Sequence, residues 1–203
     1  IEGIDIMLAI DVSTSMLAED LKPNRLEAAK DVAAEFINGR PNDNIGITLF
    51  AGETFTQCPL TVDHAVLLDM IHNIKCGLIT DGTAVGMGIA NAVTRLKDSK
   101  AKSKVIILLT DGTNNKGDIS PMTAAEIAKS FGIRVYTIGV GTNGMAPYPY
   151  PVGNTVQYVS MPVEIDEKTL TEIAGTTDGN YFRATSNSKL KEVYEEIDKL
   201  EKT

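Results

Sequence analysis

The sequence predicts an α/β fold, a doubly wound and mostly parallel central sheet flanked by helices. Strand-like and helix-like stretches alternate along the chain, the pattern of a parallel sheet built from right-handed crossovers. Residues 4–10 (IDIMLAI) and 104–110 (KVIILLT) are almost entirely apolar, as strands are when helices cover both their faces. The 203 residues suffice for one domain, which at this size buries roughly 70% of its unfolded surface.

Residues 4–10 form the first strand. Asn24 is placed to cap a helix, with Glu27 three positions on to complete a capping box. Leu26, Ala29, Val32, Ala33, Phe36 and Ile37 share one face of that helix, and Gly39 ends it. Residues 45–50 read as a strand and 54–57 as a short one at an edge. Asp63 opens a helix over 65–74, and Val85, Ile89, Val93 and Leu96 mark the next. After the strand at 104–110, Ser120-Pro121 sets an N-cap before a proline at the first helical position. That helix runs to Phe131, with Gly132 behind it, and residues 134–140 return as a strand. Asp166 caps a short helix ending at Gly175, residues 180–183 form a last short strand, and Leu190, Val193, Tyr194, Ile197 and Leu200 line a final amphipathic helix. One connection stands out. Between Val140 and Asp166 lie about 25 residues, where ~2–6 is usual. This insert, at about 141–165, holds Pro147, Pro149, Pro151 and Pro162 with Tyr148, Tyr150 and Tyr158. Its prolines predict a stiff, extended segment, with a small hairpin turning at Gly153-Asn154.

The formal net charge is −8, with 43% hydrophobic and 23% charged residues. That balance argues against nucleic acid, which needs a basic face, and is compatible with a cation. No stretch approaches the ~18 apolar residues of a membrane span, and nothing in these residues is expected to act as a signal peptide. Ile1-Glu2-Gly3 leads straight into a strand and the last helix ends in EKT, so the chain reads as a single domain, residues 1–203, excised from a longer protein. Cys58 and Cys76 fit no zinc or CxxC spacing and read as two partly buried thiols, with a disulfide open if the domain is exported.

A sheet of this kind gathers the C-terminal ends of its strands on one rim, where ligands bind. Three segments bring oxygen ligands there: Asp11-Val12-Ser13-Thr14-Ser15, Asp81-Gly82-Thr83 and Thr110-Asp111-Gly112-Thr113. Residues two apart on an extended segment face the same side, so Asp11, Ser13 and Ser15 are expected to converge, with Asp111 alongside from an adjacent strand. Carboxylates and hydroxyls without thiol or imidazole suit Mg²⁺, Mn²⁺ or Ca²⁺ rather than zinc or copper. Taken singly, each segment also reads as an ordinary turn or helix cap. Asp81 is a candidate for an outer supporting role.

The pattern DxSxS…T…D, matched at Asp11, Ser13, Ser15, Thr83 and Asp111, resembles the metal-ion-dependent adhesion site of von Willebrand factor A (VWA) domains, and the resemblance covers essentially the whole chain. More narrowly, IDIMLAIDVSTSMLAEDLKPNRLEAAK, LFAGETFTQCPLTVDHAVLL and DGTAVGMGIANAVTRLK resemble the bacterial BatA-type aerotolerance proteins of Bacteroides-like organisms. The resemblance implies a Rossmann-like VWA fold with one short antiparallel edge strand. It implies a metal, Mg²⁺ or else Mn²⁺ or Ca²⁺, held through the hydroxyls of Ser13, Ser15 and Thr83 and the carboxylates of Asp11 and Asp111, directly or through water. One coordination position is left for a carboxylate of a partner protein. It further implies a domain held between membrane segments and facing the periplasm, working with a MoxR-type ATPase and other VWA-containing Bat proteins.

The function expected is therefore a metal-ion-dependent protein-interaction module, not an enzyme, with neither nucleic acid nor a small-molecule substrate as partner. The alternative is a metal-dependent phosphotransferase or hydrolase of Rossmann-like fold. A phosphotransferase of the haloacid-dehalogenase type needs a second carboxylate two residues after Asp11, where this chain has Ser13. An acyl-transfer serine needs a base, and the histidines His64 and His72 belong to the helix after the edge strand. A third reading is a scaffold with a degenerate site. The dispersed methionines read as core filling or incidental exposure. Tyr148 and Tyr150 are the candidate partner-binding residues, large amphipathic side chains on the stiff insert, with packing back onto the domain as the plainer alternative.

Overall fold

The computed structural model describes residues 3–112 and 114–202; Ile1, Glu2, Thr113 and Thr203 lie outside the described residues. The chain runs β1 (Asp5–Asp11), a 3-10 turn (Thr14–Leu17), α1 (Arg25–Asn38), β2 (Asn44–Phe50), β3 (Thr54–Thr61), α2 (His64–His72), α3 (Val85–Leu96), β4 (Lys104–Thr110), α4 (Pro121–Ser130), β5 (Ile133–Val140), β6 (Met145–Val152), β7 (Thr155–Pro162), α5 (Glu167–Thr176), β8 (Tyr181–Ala184) and α6 (Asn187–Lys202).

Six strands form the central sheet in the order β3-β2-β1-β4-β5-β8. β3 is antiparallel to β2, and the other neighbours run parallel. The doubly wound expectation follows from the pleat. Ile6, Leu8 and Ile10 of β1 join α1, α2 and α6 in one apolar cluster, while Met7 and Ala9 join α3, α4 and α5 in the other. The four expected helix caps form: Asn24, Asp63, Ser120 and Asp166 each accept a backbone N–H from the first turn. Among the described residues no helix is long and apolar enough to cross a membrane.

Three local readings change. β3 extends to Thr61 instead of stopping at 57, because an edge strand tolerates Pro59 and the register shifts along β2 absorb the irregularity. The segment after β1 does not stay extended. Ser13 is extended, but Thr14–Leu17 coils into a 3-10 turn, so Ser15 reaches the rim through the turn and not by strand alternation. The insert is a full hairpin rather than a small one at its tip. β6 and β7 pair from Met145 opposite Pro162 to Val152 opposite Thr155, turning at Gly153-Asn154, where Gly153 has φ +60°. Its base is closed by Val163 N–H donating to the Gly144 carbonyl (2.7 Å), and Glu19 N–H bonds the Pro147 carbonyl (3.0 Å).

Candidate metal centre

β1 and β4 are neighbours, and their last residues carry the first and third polar segments to the same rim. Asp11 is fully buried. Its Oδ1 accepts the Ser13 N–H (2.8 Å) and its Oδ2 the Thr110 hydroxyl (2.8 Å). Ser13 Oγ lies 3.0 Å from Ser15 Oγ, and Ser15 Oγ donates to Asp111 Oδ1 at 2.8 Å. A continuous hydroxyl–carboxylate chain thus runs from the first segment to the third. Thr83 enters from the second. A Cβ added at Gly112 would sit 3.6 Å from Thr83 Oγ1, so that hydroxyl faces the Asp111-Gly112 turn. Gly82 makes this approach possible. Its φ of +133° disfavours any side chain, and a Cβ there would meet Lys116 Cγ at 2.7 Å and Gly52 Cα at 3.1 Å. Asn115 then fixes Thr83 from both sides, its Oδ1 accepting the Thr83 N–H and its own N–H donating to the Thr83 carbonyl, each at 2.9 Å. Thr113, which closes the third segment, lies outside the described residues.

The electrostatics are those of a crowded anionic site. Burial, and next the charge of Asp111, push the Asp11 carboxyl above the usual range, and the Ser13 and Thr110 bonds only partly offset this. Burial likewise raises Asp111, against the opposing pull of Arg25 and the Ser15 hydroxyl. Asp81 behaves differently. Burial would raise it, but bonds from the Thr14 N–H (3.1 Å) and hydroxyl (2.8 Å) outweigh that and hold it low. Asp81 therefore pins the serine-bearing turn from outside.

The residue that sequence reasoning missed is Arg25. It is fully buried, at the start of α1. Its Nη1 donates to Asp111 Oδ2 (2.8 Å) and to the Tyr148 hydroxyl (3.1 Å), while Nε and Nη2 form a fork on the two oxygens of Asp20, each at 2.7 Å. The guanidinium carbon lies 5.2 Å from the centroid of the Tyr148 ring. One signal was available: a cation in the first turn of a helix opposes the macrodipole and calls for buried acidic partners. Asn115 and the place of Cys76 beside the site were missed as well, whereas Thr110, already read as part of the third segment, supports Asp11. Cys76 Sγ donates to the Ser13 carbonyl at 3.4 Å, and burial, then the nearby Asp11 and Asp111, push the thiol up to about 12, so it is a neutral donor. Cys58 and Cys76 are both free thiols.

The predicted partner residues separate. Tyr148 is half-buried against Arg25, whereas Tyr150, two positions along the hairpin, is 61% exposed. His64 contacts the Asp43 carbonyl near the start of β2, the end of the sheet away from Ser13 and Ser15. His72 ends α2. No group of three or more His, Cys, Asp or Glu side chains arranged to hold a metal occurs among the described residues. The candidate set is instead a pair of carboxylates supplemented by hydroxyls.

A mostly parallel sheet carrying a DxSxS turn, a threonine and an aspartate on one rim defines a class, and the chain belongs to it: residues 5–196 match the family of von Willebrand factor type A domains. Within that family it is similar to BatB from Bacteroides thetaiotaomicron, at 34% identity and a TM-score of 0.85 over 99% of this chain and 100% of that one. It is similar to an aerotolerance-related membrane protein from Bacteroides fragilis, at 32% identity and a TM-score of 0.85 over 97% and 98% of the two chains. These are BatA/BatB-type likenesses. An uncharacterized protein of Borreliella burgdorferi is 29% identical over 201 residues, which are 98% of this chain and 59% of that protein. The chain thus spans about three-fifths of that curated relative.

Proposed function

We propose that this domain is a metal-ion-dependent protein-interaction module, holding Mg²⁺, or else Mn²⁺ or Ca²⁺, at Asp11, Ser13, Ser15, Thr83 and Asp111. The observation that carries the reading is the burial of two carboxylates on one rim, linked by the Ser13–Ser15 hydroxyl chain, with a single guanidinium reaching one of them. Such an arrangement is costly without a further cation, and its donors are the hard oxygens that Mg²⁺, Mn²⁺ and Ca²⁺ take. Ser13, Ser15 and Thr83 would offer hydroxyls; Asp11 and Asp111 would offer carboxylates, directly or through water. The bound ion supplies a Lewis-acidic position that an aspartate or glutamate of a partner protein completes.

The partner surface in this reading includes the β6–β7 hairpin, joined to the site through Tyr148 and Arg25, with Tyr150 as an exposed anchor. Its setting would be a longer membrane-anchored protein, this domain facing the periplasm within an aerotolerance-related complex alongside other VWA-containing Bat proteins and a MoxR-type ATPase. The aerotolerance-related membrane protein among the similar structures supports that setting. The role is binding and not turnover: Ser13 and Ser15 have hydroxyl and carboxylate neighbours, and no imidazole contacts them among the described residues. The test is recovery of the membrane complex by pull-down with and without chelator, its components identified by mass spectrometry, together with a phosphatase and esterase screen. Partners that stay bound in chelator, or ester turnover that disappears in Asp11→Ala, would overturn the reading.

A further inference from the structure

The two strands of the hairpin treat their outer edges in opposite ways. Val152 and Thr155 close a two-residue turn and are therefore a hydrogen-bonded pair, after which bonded and non-bonded pairs alternate down the ladder. By that alternation, positions 147, 149 and 151 of β6 and 156, 158 and 160 of β7 direct their backbone groups away from the partner strand. On β6 all these positions are proline, which has no N–H, and the Pro147 carbonyl is already taken by Glu19. On β7 they are Val156, Tyr158 and Ser160, which keep both donor and acceptor and have no backbone partner among the described residues. Every residue of β7 is exposed. One edge is blocked by the means proteins use against strand pairing, and the other is left open.

We propose that the β7 edge pairs with the β7 edge of a second copy of this chain, antiparallel about a twofold axis, joining two hairpins into one four-stranded sheet. The charge distribution selects this occupant. Residues 145–162 carry no charged side chain in a chain of net charge −8. Two such domains repel over most of their surface, and the projecting hairpin, where the Glu19 carboxylate reaches the Tyr158 hydroxyl but no residue of the hairpin itself is charged, is where they can meet with little opposing charge. Exposed Val156, Tyr158, Val159 and Met161 need an uncharged, apolar strand beside them, and β7 itself is such a strand. The register is self-complementary. With Tyr158 opposite the second copy's Tyr158, Val156 faces its Ser160, and all the open donors and acceptors are matched in one isologous contact. A single strand edge buries less than a standard interface, so the dimer is concentration-dependent. The pairing involves none of the metal residues.

The test is sedimentation equilibrium of the wild type, Tyr158→Pro and Ser160→Pro over a wide concentration range in EDTA, which separates the result from the metal reading. Because the N–H groups of 158 and 160 point away from β6, neither proline removes a bond within the hairpin. The wild-type mass is expected to rise from one chain toward two with concentration, while both variants stay at one. Amide exchange at Val156, Tyr158 and Ser160 of the wild type is expected to slow over the same range. A wild type that remains monomeric throughout, or a dimer that survives both prolines, overturns the proposal.

Discussion

The rim and the hairpin reverse the usual partition of a water-soluble domain. At the rim, charged and polar groups are buried: Asp11, Ser13, Thr83 and Asp111 are almost inaccessible. On the hairpin, apolar groups are exposed: Met145, Tyr150, Val152, Val156 and Tyr158 stand in solvent without a charge among them. Folding alone explains neither, because a buried carboxylate costs stability and an exposed apolar strand invites association. In the proposed reading the rim takes something charged and small, and the hairpin something uncharged and extended. Arg25 joins them, with Asp111 on one side and Tyr148 on the other.

Removing that joint is the most disruptive change. Arg25→Met leaves Asp20 and Asp111 buried without their cation, and breaking a buried ion pair from one side costs about 3–5 kcal/mol. Urea denaturation of the metal-free protein is expected to show that loss. A loss of less than about 1 kcal/mol, the scale of an exposed pair, would mean the two regions are not joined through Arg25. Thr110→Val sharpens the rim side alone. It deletes the hydroxyl that orients Asp11 Oδ2, an outer support of a kind whose loss typically lowers metal affinity by roughly 10–100-fold. Magnesium calorimetry measures this, and an unchanged affinity would place Asp11 outside the site.

Tyr148→Phe sharpens the hairpin side. It keeps the ring over the guanidinium but removes one hydrogen bond, and is expected to cost about 0.5–1.5 kcal/mol in the same denaturation assay. Acid probes the Asp20 arm. Burial would raise the Asp20 carboxyl, but bonds from Arg25 and the Thr142 N–H hold it below its ordinary 3.8. A depressed carboxyl contributes stability that is complete above its unfolded value and lost as pH falls through the folded one. The melting temperature of the wild type should therefore drop more steeply below pH 3.8 than that of Asp20→Asn, and parallel curves would contradict this. The smallest effect is expected from replacing residues 149–158 with a tight two-residue turn, which leaves Tyr148 and Val159 as the closing pair. Stability and magnesium affinity should hold, while recovery of membrane partners falls; full recovery would remove the hairpin from the proposed recognition surface.

Much of this could be read along the chain, for identifiable reasons. The doubly wound sheet was legible because residues 4–10 and 104–110 alternate between two apolar faces, and because Asn24, Asp63, Ser120 and Asp166 are caps whose chemistry is local. The segments bearing Asp11, Ser13, Ser15, Thr83 and Asp111 were legible because each ends a strand or opens a helix on the predicted rim. What local rules could not supply was contact at a distance. Arg25 meets Asp111 across 86 positions and Tyr148 across 123, and no periodicity encodes either pairing. The 3-10 turn at Thr14–Leu17 escaped for a related reason: it is fixed by Asp81, which lies 67 positions away from Thr14. The insert was read as extended because its prolines exclude helix. Their alternation at 147, 149 and 151 also marks the non-bonded positions of a hairpin, a signal overlooked beyond Gly153-Asn154.

The claim that matters most is that the rim holds a divalent cation, and titration calorimetry with Mg²⁺ and Mn²⁺ on the wild type and Asp111→Asn tests it most directly. Asparagine preserves the shape of the side chain and an acceptor for Arg25, so the fold should survive while one metal-facing charge is lost. The account predicts saturable binding of one ion per wild-type chain and its loss in the variant, with both proteins melting cooperatively. Equal binding by the two proteins, or no binding by a folded wild type, would contradict it.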